Sequence, residues 1–540
     1  MGGPNPLSVD VAPLPTPTLA LALGTAVLAV CGGTLAVLGL HAVWTDLRRP
    51  AAERLEVARR WALGGLGVLL ASTLAPATPE MRWRLGFAYD PAPLVTLLTG
   101  DRPPMGIEDV QKYGLAWPLA VRAAVTVWGP DPDVPFLLTP WIHGLGVLAA
   151  AQLARALGAT AVGSAWVAFA FATSPLLVWF GHTDGPFPAD ALFGLLTLGA
   201  TARYANTHRM RDLVVASCAM VVAAQCRVES VTTGVFAVLL AVAMADRFPW
   251  RSPLPYVAAA LTTSLLVPHA MLVHDQVWRE ASGRYATDEP TRQVWTANRW
   301  LFTNATMQAW VWIALWPVGA VLGGLAARRR LWAFGVMVAA ASTVSDILPL
   351  QTSFSVARYQ LRSLPFAALL GGLGAAWVAS GRRALWGGLA VVLAAVAGLR
   401  GARTASVLRT EYAFFEDHLG EVPRGCTVMT WRSQPDTTLF VPLHLSRLLG
   451  LGHRWLDIAH DAVPATGCVW YYRSGGCSQH YRAGEAGERH PVCTSFEAAW
   501  TGRAVAEQAL TSDPYGPMGI ENQRPGTPIP VGFYELRPGP

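Results

Sequence analysis

A long polar insert, residues 80–129, separates two apolar segments and carries Asp90 between Tyr89 and Pro91. A carboxylate beside a membrane surface is costly to desolvate, which suits it to take a proton from an acceptor hydroxyl. Asp90 is therefore a candidate general base. A solvated aspartate or a helix N-cap is the alternative, because Pro91 fits the first helical position. Long loops usually carry function, which favours an enzyme over a simple channel.

Further polar residues follow or interrupt the apolar segments. His182 and Asp184 follow the segment that ends at Gly181, where they would either bind substrate or cap the next helix. Arg227 and Glu229 interrupt another segment, and ionisable residues inside spans usually pair and carry function. These two are too close in sequence to face each other on a helix, so one or both must find other partners. A polar network near the site and a helix break at the membrane surface both fit this pattern.

Arg358 and Tyr359 lie in a short polar loop, with Arg362 following in the same loop. A guanidinium binds phosphate through paired hydrogen bonds, and the low dielectric beside lipid strengthens the contact. The pattern predicts a site for a lipid-phosphate donor. Snorkelling of the arginine to the membrane interface is the alternative.

Membrane spans are the elements that must position these residues. The chain has 540 residues, of which 52% are hydrophobic and 14% charged, whereas soluble domains carry about 25% charged residues. Its apolar segments match the length of about 20 residues that a helix needs to cross a bilayer. A large soluble helical protein is excluded, because its solvated faces would need more charge. The first segment lacks a preceding basic stretch, so we expect a retained span and not a cleaved signal peptide.

The arginines predict the topology. The net charge of +6 comes largely from arginine clusters that mark loops and do not form a nucleic-acid patch. Placing these clusters in the cytoplasm predicts an all-α polytopic protein of about twelve spans, with both termini outside. The spans are 18–41, 61–78, 134–156, 161–180, 187–204, 212–226, 229–245, 253–274, 308–326, 331–349, 363–379 and 384–399. Residues 212–245 would alternatively form a re-entrant pair. Loop 79–133 and the tail then lie outside the plasma (inner) membrane.

The tail after residue 400 has the composition of a soluble domain and predicts a small extracytoplasmic α/β fold. Its apolar and turn patterns predict helices over 411–419 and 441–451, strands over 426–431, 468–473 and 532–536, and loops over 474–492 and 511–530. Four tail cysteines predict two disulfides in an oxidising compartment. They are Cys426, Cys468, Cys477 and Cys493. Three pairings are possible; we favour 426–468 with 477–493, and zinc binding is the alternative.

The order of these segments resembles the GT-C superfamily of polytopic glycosyltransferases, especially bacterial relatives of the dolichyl-phosphate-mannose protein mannosyltransferases. Asp90 stands where that family places an acid after its first core span, although the family often has Glu at the position of Pro91. Lys112 and Tyr113 begin a segment similar to the family's Pro-Pro-Leu-Tyr region. Residues 225–229 resemble its Thr-Arg-Pro-Glu-Gly segment, and Arg358-Tyr359 resembles the Arg-Tyr pair before a late span.

The resemblance covers residues 61–400 and implies three regions. Residues 1–60 would form an extra N-terminal span with a basic cytoplasmic loop, 61–400 the catalytic membrane domain, and 401–540 the disulfide-bearing tail domain. The implied reaction moves a sugar, with inversion, from a polyprenyl-phosphate donor in the membrane lipid to an acceptor that the sequence leaves open. No metal ion or other cofactor is expected.

The resemblance also implies a role for each site residue. Arg358 would hold the donor phosphate, Asp90 would take the proton of the acceptor, and Asp184 would orient substrate. The remaining candidates for substrate binding are His182, Tyr359, Lys112, Tyr113, Arg227 and Glu229. A flippase for lipid-linked glycans and a non-catalytic membrane scaffold are the alternatives; a flippase would predict internal repeats and midplane polar residues.

Overall fold

The computed structural model describes residues 17–74, 114–129, 133–159, 161–173, 185–284, 411–431, 446, 450–478, 489–510 and 529–537. Every structural statement below concerns these residues. The predicted late spans between 308 and 399 lie outside them, so the total number of spans and the three domain boundaries stay predictions.

The membrane part is a bundle of helices. These are α1 (Pro17–Leu47), α2 (Ala51–Leu74), α3 (Ala116–Trp128), α4 (Val134–Ala156), α5 (Ala161–Thr173), α6 (Phe187–Thr207), α7 (Met210–Cys226), α8 (Thr232–Ala243) and α9 (Leu254–Arg284). Each span predicted between 18 and 274 overlaps one of them, and α4 has the predicted bounds. By length and composition, Leu19–Leu47, Val134–Ala156 and Leu254–Val273 are able to cross a membrane.

Helix α1 is packed into the bundle. Ala20, Leu28 and Cys31 on one side of α1 share a core with α3, α7 and the middle of α9. Large apolar side chains on its other side, such as Val30 and Leu40, are exposed. An exposed apolar face on a packed helix is what contact with lipid requires. The chain is therefore a membrane protein whose described membrane part is helical.

One end of the bundle carries a group of arginines. At the basic end, defined by Arg155, Arg203 and Arg247, the amide of Asn206 donates to the carbonyl of Ala156 and accepts a 2.8 Å bond from Arg247. This end joins α4 to α5, α6 to α7, and α8 to α9. The opposite end, called here the junction end, joins Gly114 before α3, the start of α6 and the end of α7.

The tail folds as a small α/β unit. It consists of α10 (Glu411–Leu419), α11 (Pro491–Ala499), β1 (Thr427–Thr430), β2 (Arg454–Asp457), β3 (Val469–Arg473), β4 (Thr501–Leu510) and β5 (Ile529–Arg537). The five strands form one sheet in the order β2-β1-β3-β5-β4. Strand β1 is parallel to β2 and β3, whereas β5 is antiparallel to β3 and β4. Aromatic side chains of α10 cover one face of the sheet, and Phe496 of α11 packs on the other.

Disulfides join Cys426 to Cys468 and Cys477 to Cys493, with Cα–Cα separations of 5.0 and 5.7 Å. These are the two pairs that the sequence favours. The first links the starts of neighbouring strands β1 and β3, and the second ties the chain after β3 to α11.

Parts of the tail prediction are corrected. Strands β2 and β4 were not predicted, because charged residues interrupt their apolar residues and they form through ladder bonds to partners elsewhere in the chain. The predicted loop 474–492 contains a short 3-10 helix, Gly475–Ser478, and the start of α11, whose Pro491 suits the first helical turn. The predicted loop 511–530 ends inside β5. Most of the predicted helix 441–451 lies outside the described residues.

Candidate functional site

The helix break after α7 shapes the junction end. Helix α7 ends at Cys226, and Arg227 takes an extended conformation with φ −155° and ψ 137°. The carbonyl of Arg227 then accepts a 3.0 Å bond from the backbone of Ser230, which starts the 3-10 helix Val228–Val231. Helix α8 follows at Thr232. The break turns the side chains of Arg227 and Ser230 towards the first turn of α6.

Arg227 is buried at this break, with 1% of its surface exposed. Its Nη1 lies 4.0 Å from Oδ2 of Asp190, and its guanidinium carbon lies 4.6 Å from the ring centre of Phe187. A carboxylate and an aromatic face both favour a buried cation. The sequence predicts that one or both of Arg227 and Glu229 find other partners, and Arg227 does so.

Asp190 belongs to the first turn of α6, where its backbone donates to the carbonyl of Pro186 at 2.9 Å. An acidic residue is favoured there by the helix dipole. One carboxylate oxygen accepts a hydrogen bond from the hydroxyl of Ser230, and the other faces Arg227. The three side chains therefore connect α6 to both sides of the break.

A second polar contact lies where the insert joins the bundle. Gly114 has φ +79°, and a Cβ there would lie 2.6 Å from Cε1 of His269 and 2.7 Å from the carbonyl oxygen of Gln225. Glycine is required by both the backbone conformation and this close approach. Gln225 is fully buried and His269 is 2% exposed. Within the described part of the chain, the side-chain amide of Gln225 has no hydrogen-bond partner.

The structure places a minority of the predicted site residues. Arg227 is described in full, and Glu229 is described through its backbone in the 3-10 helix. The others lie outside the described residues, namely Asp90, Lys112, Tyr113, His182, Asp184, Arg358 and Tyr359. In sequence, Gly114 directly follows Tyr113, and Gly185 directly follows Asp184. Both glycines are described.

Sequence reasoning missed Asp190, Ser230 and His269. Asp190 and His269 each had a usable signal, because each is an ionisable residue in an otherwise apolar predicted span. Ser230 had none, since a serine beside a helix break is common. In the described ranges, no three His, Cys, Asp or Glu side chains lie close enough to hold a metal ion. The expectation of a metal-free reaction stays a prediction.

Two structures of one known protein share this fold. ArnT from Cupriavidus metallidurans in the apo state aligns with a TM-score of 0.53 and 12% identity, over 90% of this chain and 100% of that one. The same protein bound to undecaprenyl phosphate aligns with a TM-score of 0.51 and 12% identity, over 88% and 98%. Arabinofuranosyltransferase AftD from Mycobacteria gives a TM-score of 0.45 and 14% identity, over 88% of this chain and 41% of that one. No protein-family model and no curated protein matches the sequence.

Proposed function

We propose that this chain, which has the fold of the GT-C glycosyltransferases, moves a sugar from a polyprenyl-phosphate donor to an acceptor outside the plasma (inner) membrane. The observation that carries the proposal is the alignment with ArnT, one of whose structures is bound to undecaprenyl phosphate, over 88% of this chain. The alignment also covers 98% of ArnT, so the likeness extends over nearly the whole of that protein and is not limited to a few helices.

The proposed reaction is an inverting displacement at the anomeric carbon. The acceptor oxygen forms a bond to that carbon while the bond from the carbon to the donor phosphate oxygen breaks. The carboxylate of Asp90 takes the acceptor proton, and polyprenyl phosphate leaves with the bonding electron pair. Arg358 and Tyr359 hold the leaving phosphate, whose growing charge a guanidinium stabilises.

The remaining predicted residues bind the substrates. His182 and Asp184 orient the sugar, and Lys112 and Tyr113 bind the donor. Arg227 adds a second cation, and Glu229 is a further polar contact. The position of Arg227 supports this arrangement, because it lies at the junction end, where the described chain resumes after Tyr113 and after Asp184.

The orientation of the chain rests on two observations. Arginines gather at the basic end, and the positive-inside rule places such an end in the cytoplasm. The tail carries two disulfides, which persist in oxidising compartments. Both support an extracytoplasmic tail and junction end. Single cysteines introduced at Arg209 and at Glu421 test this in intact cells, where a membrane-impermeant maleimide should label the second position and not the first.

A transfer assay tests the function. The full chain is reconstituted in liposomes with a panel of labelled undecaprenyl-phosphate sugars and an extract of envelope acceptors. Wild type should transfer label, and Asp90→Asn should abolish transfer while inserting normally. Asp46→Asn is the matched control, because Asp46 pairs with Arg49 near the end of α1, away from the junction end. No transfer from any donor by wild type would overturn the function, whereas full activity of Asp90→Asn would remove Asp90 from the mechanism.

A further inference from the structure

Asp190 is the feature of the junction end that the proposed reaction does not yet use. One of its oxygens accepts the hydroxyl hydrogen of Ser230, and the other lies 4.0 Å from Nη1 of Arg227. The ring of Phe187, three residues earlier in α6, lies under the same guanidinium. Helix α6 thus supplies both a carboxylate and an aromatic face to a cation on the neighbouring chain segment.

This arrangement is a weak explanation of stability. The desolvation cost of burying a carboxylate and a guanidinium is about as large as the attraction between them. Apolar side chains of the same volume often stabilise a fold to the same degree. Its geometry, however, favours one orientation of the guanidinium. The carboxylate lies 4.0 Å from one edge of the planar group, and the ring lies against its face.

We infer that Asp190 is a positioning residue, which holds the guanidinium of Arg227 where it meets the phosphate of the lipid donor and partly offsets its charge. The inference rests on the proposed function, because it assigns a role within that same site. Ser230 acts through Asp190, since its hydroxyl fixes the carboxylate that faces Arg227.

The charge of Asp190 has a consequence for product release. With the carboxylate present, the guanidinium attracts phosphate moderately, so polyprenyl phosphate leaves after transfer. Without it, the charge of the buried guanidinium is less well offset, so the guanidinium binds phosphate more tightly and in a less defined position. Tight binding of the product and loss of position both lower kcat, whereas the affinity for polyprenyl phosphate rises.

The basic end provides a matched control. Asp212 is also a buried carboxylate, since Arg203 Nε lies 3.2 Å from one oxygen and the hydroxyl of Thr207 donates to the other at 2.9 Å. The two aspartates therefore share partner types and position in the first turn of a helix, although the side chain of Asp212 is the more buried, with 4% of its surface exposed against 13% for Asp190. They differ in the end of the bundle that they occupy.

The experiment compares Asp190→Asn with Asp212→Asn in the reconstituted full chain. We expect Asp190→Asn to lower kcat about a hundredfold, as small displacements at a reacting centre do. The Kd for undecaprenyl phosphate should fall. Asp212→Asn should leave both quantities within about twofold of wild type, although both variants lose thermal stability.

Several outcomes would overturn the inference. Equal effects of the two variants on kcat would mean that Asp190 has a structural role alone, and an unchanged or raised Kd in Asp190→Asn would exclude the charge argument. If Asp190→Asn fails to fold, Ser230→Ala decides, because it releases one oxygen of Asp190 without removing its charge. This variant should lower kcat and leave the Kd within about twofold of wild type, and an unchanged kcat would overturn the positioning role. Wild type that neither transfers sugar nor binds undecaprenyl phosphate would instead refute the proposed function.

Discussion

Gly114 and Gly129 lie at the two ends of α3 with the same sign of φ, +79° and +90°, but with opposite surroundings. A Cβ on Gly114 would press on His269 and on the carbonyl of Gln225, whereas a Cβ on Gly129 would meet nothing within 4 Å. The pair therefore separates the cost of a strained backbone from the cost of a close approach.

Replacing each glycine by alanine should show this difference. In both variants an alanine must adopt a positive φ, which lowers the free energy of unfolding by about 1–3 kcal/mol. In Gly114→Ala, overpacking lowers it by about 1–3 kcal/mol more. The melting temperature of the full chain in detergent should therefore be highest for wild type, lower for Gly129→Ala and lowest for Gly114→Ala. Equal melting temperatures for the two variants would show that the contact of Gly114 with α7 and α9 is not tight in solution.

A second prediction concerns pH. His453 is 6% exposed, its Nε2 lies 3.2 Å from the carbonyl oxygen of Val422, and burial lowers the pKa of its imidazole. Below about pH 6.5, His453 of the unfolded chain takes up a proton, whereas the buried ring of the folded state stays neutral to a lower pH. The stability contributed by the neutral ring is present above that pH and is lost as the pH falls towards the lowered folded pKa.

Hydrogen exchange of the full chain measures this loss. Amides of β1 and β2 should exchange faster at pH 5.5 than at pH 7.5, after correction for the intrinsic pH dependence of exchange. In His453→Gln, which cannot take up a proton, this difference should shrink. A difference of the same size in the variant would assign the acid sensitivity to another group.

The sequence predicts elements whose signals are local. The bounds of α4 were predicted because Pro135 and Arg155 mark its two ends, and β1, β3 and β5 were predicted because their residues are apolar and turn-bounded. The edge strands β2 and β4 carry charged residues and exist because of partners elsewhere in the chain. Local pattern therefore cannot identify them.

The candidate site was harder to predict for a related reason. The sequence shows that Arg227 needs a partner, but the partner, Asp190, lies one helix away and is chosen by the packing of α6 on α7. The contact of Gly114 with His269 likewise joins segments that are far apart in sequence. Periodicity indicates which residues are buried, whereas it gives no information on which helix ends meet.

The Asp190–Arg227 pair predicts a non-additive effect on stability. Arg227→Met leaves the carboxylate of Asp190 buried without its cation and should cost about 3–5 kcal/mol. Adding Asp190→Leu removes that charge as well, so the double variant should recover most of the loss. Melting temperatures of the three variants and wild type form a double-mutant cycle. Additive losses would show that the two side chains do not interact across 4.0 Å.

The two disulfides predict different losses when each is removed by a pair of alanine substitutions. The bond between Cys426 and Cys468 closes a separation of 42 residues, and that between Cys477 and Cys493 closes 16. Loop-closure entropy then gives about 4 kcal/mol for the first and about 3 kcal/mol for the second. Native-state proteolysis of the full chain should cut the tail of the first double variant faster. The reverse order would mean that unfolded-state entropy does not govern the contribution of these bonds, and that the packing of α11, which the second bond ties to the chain after β3, contributes more.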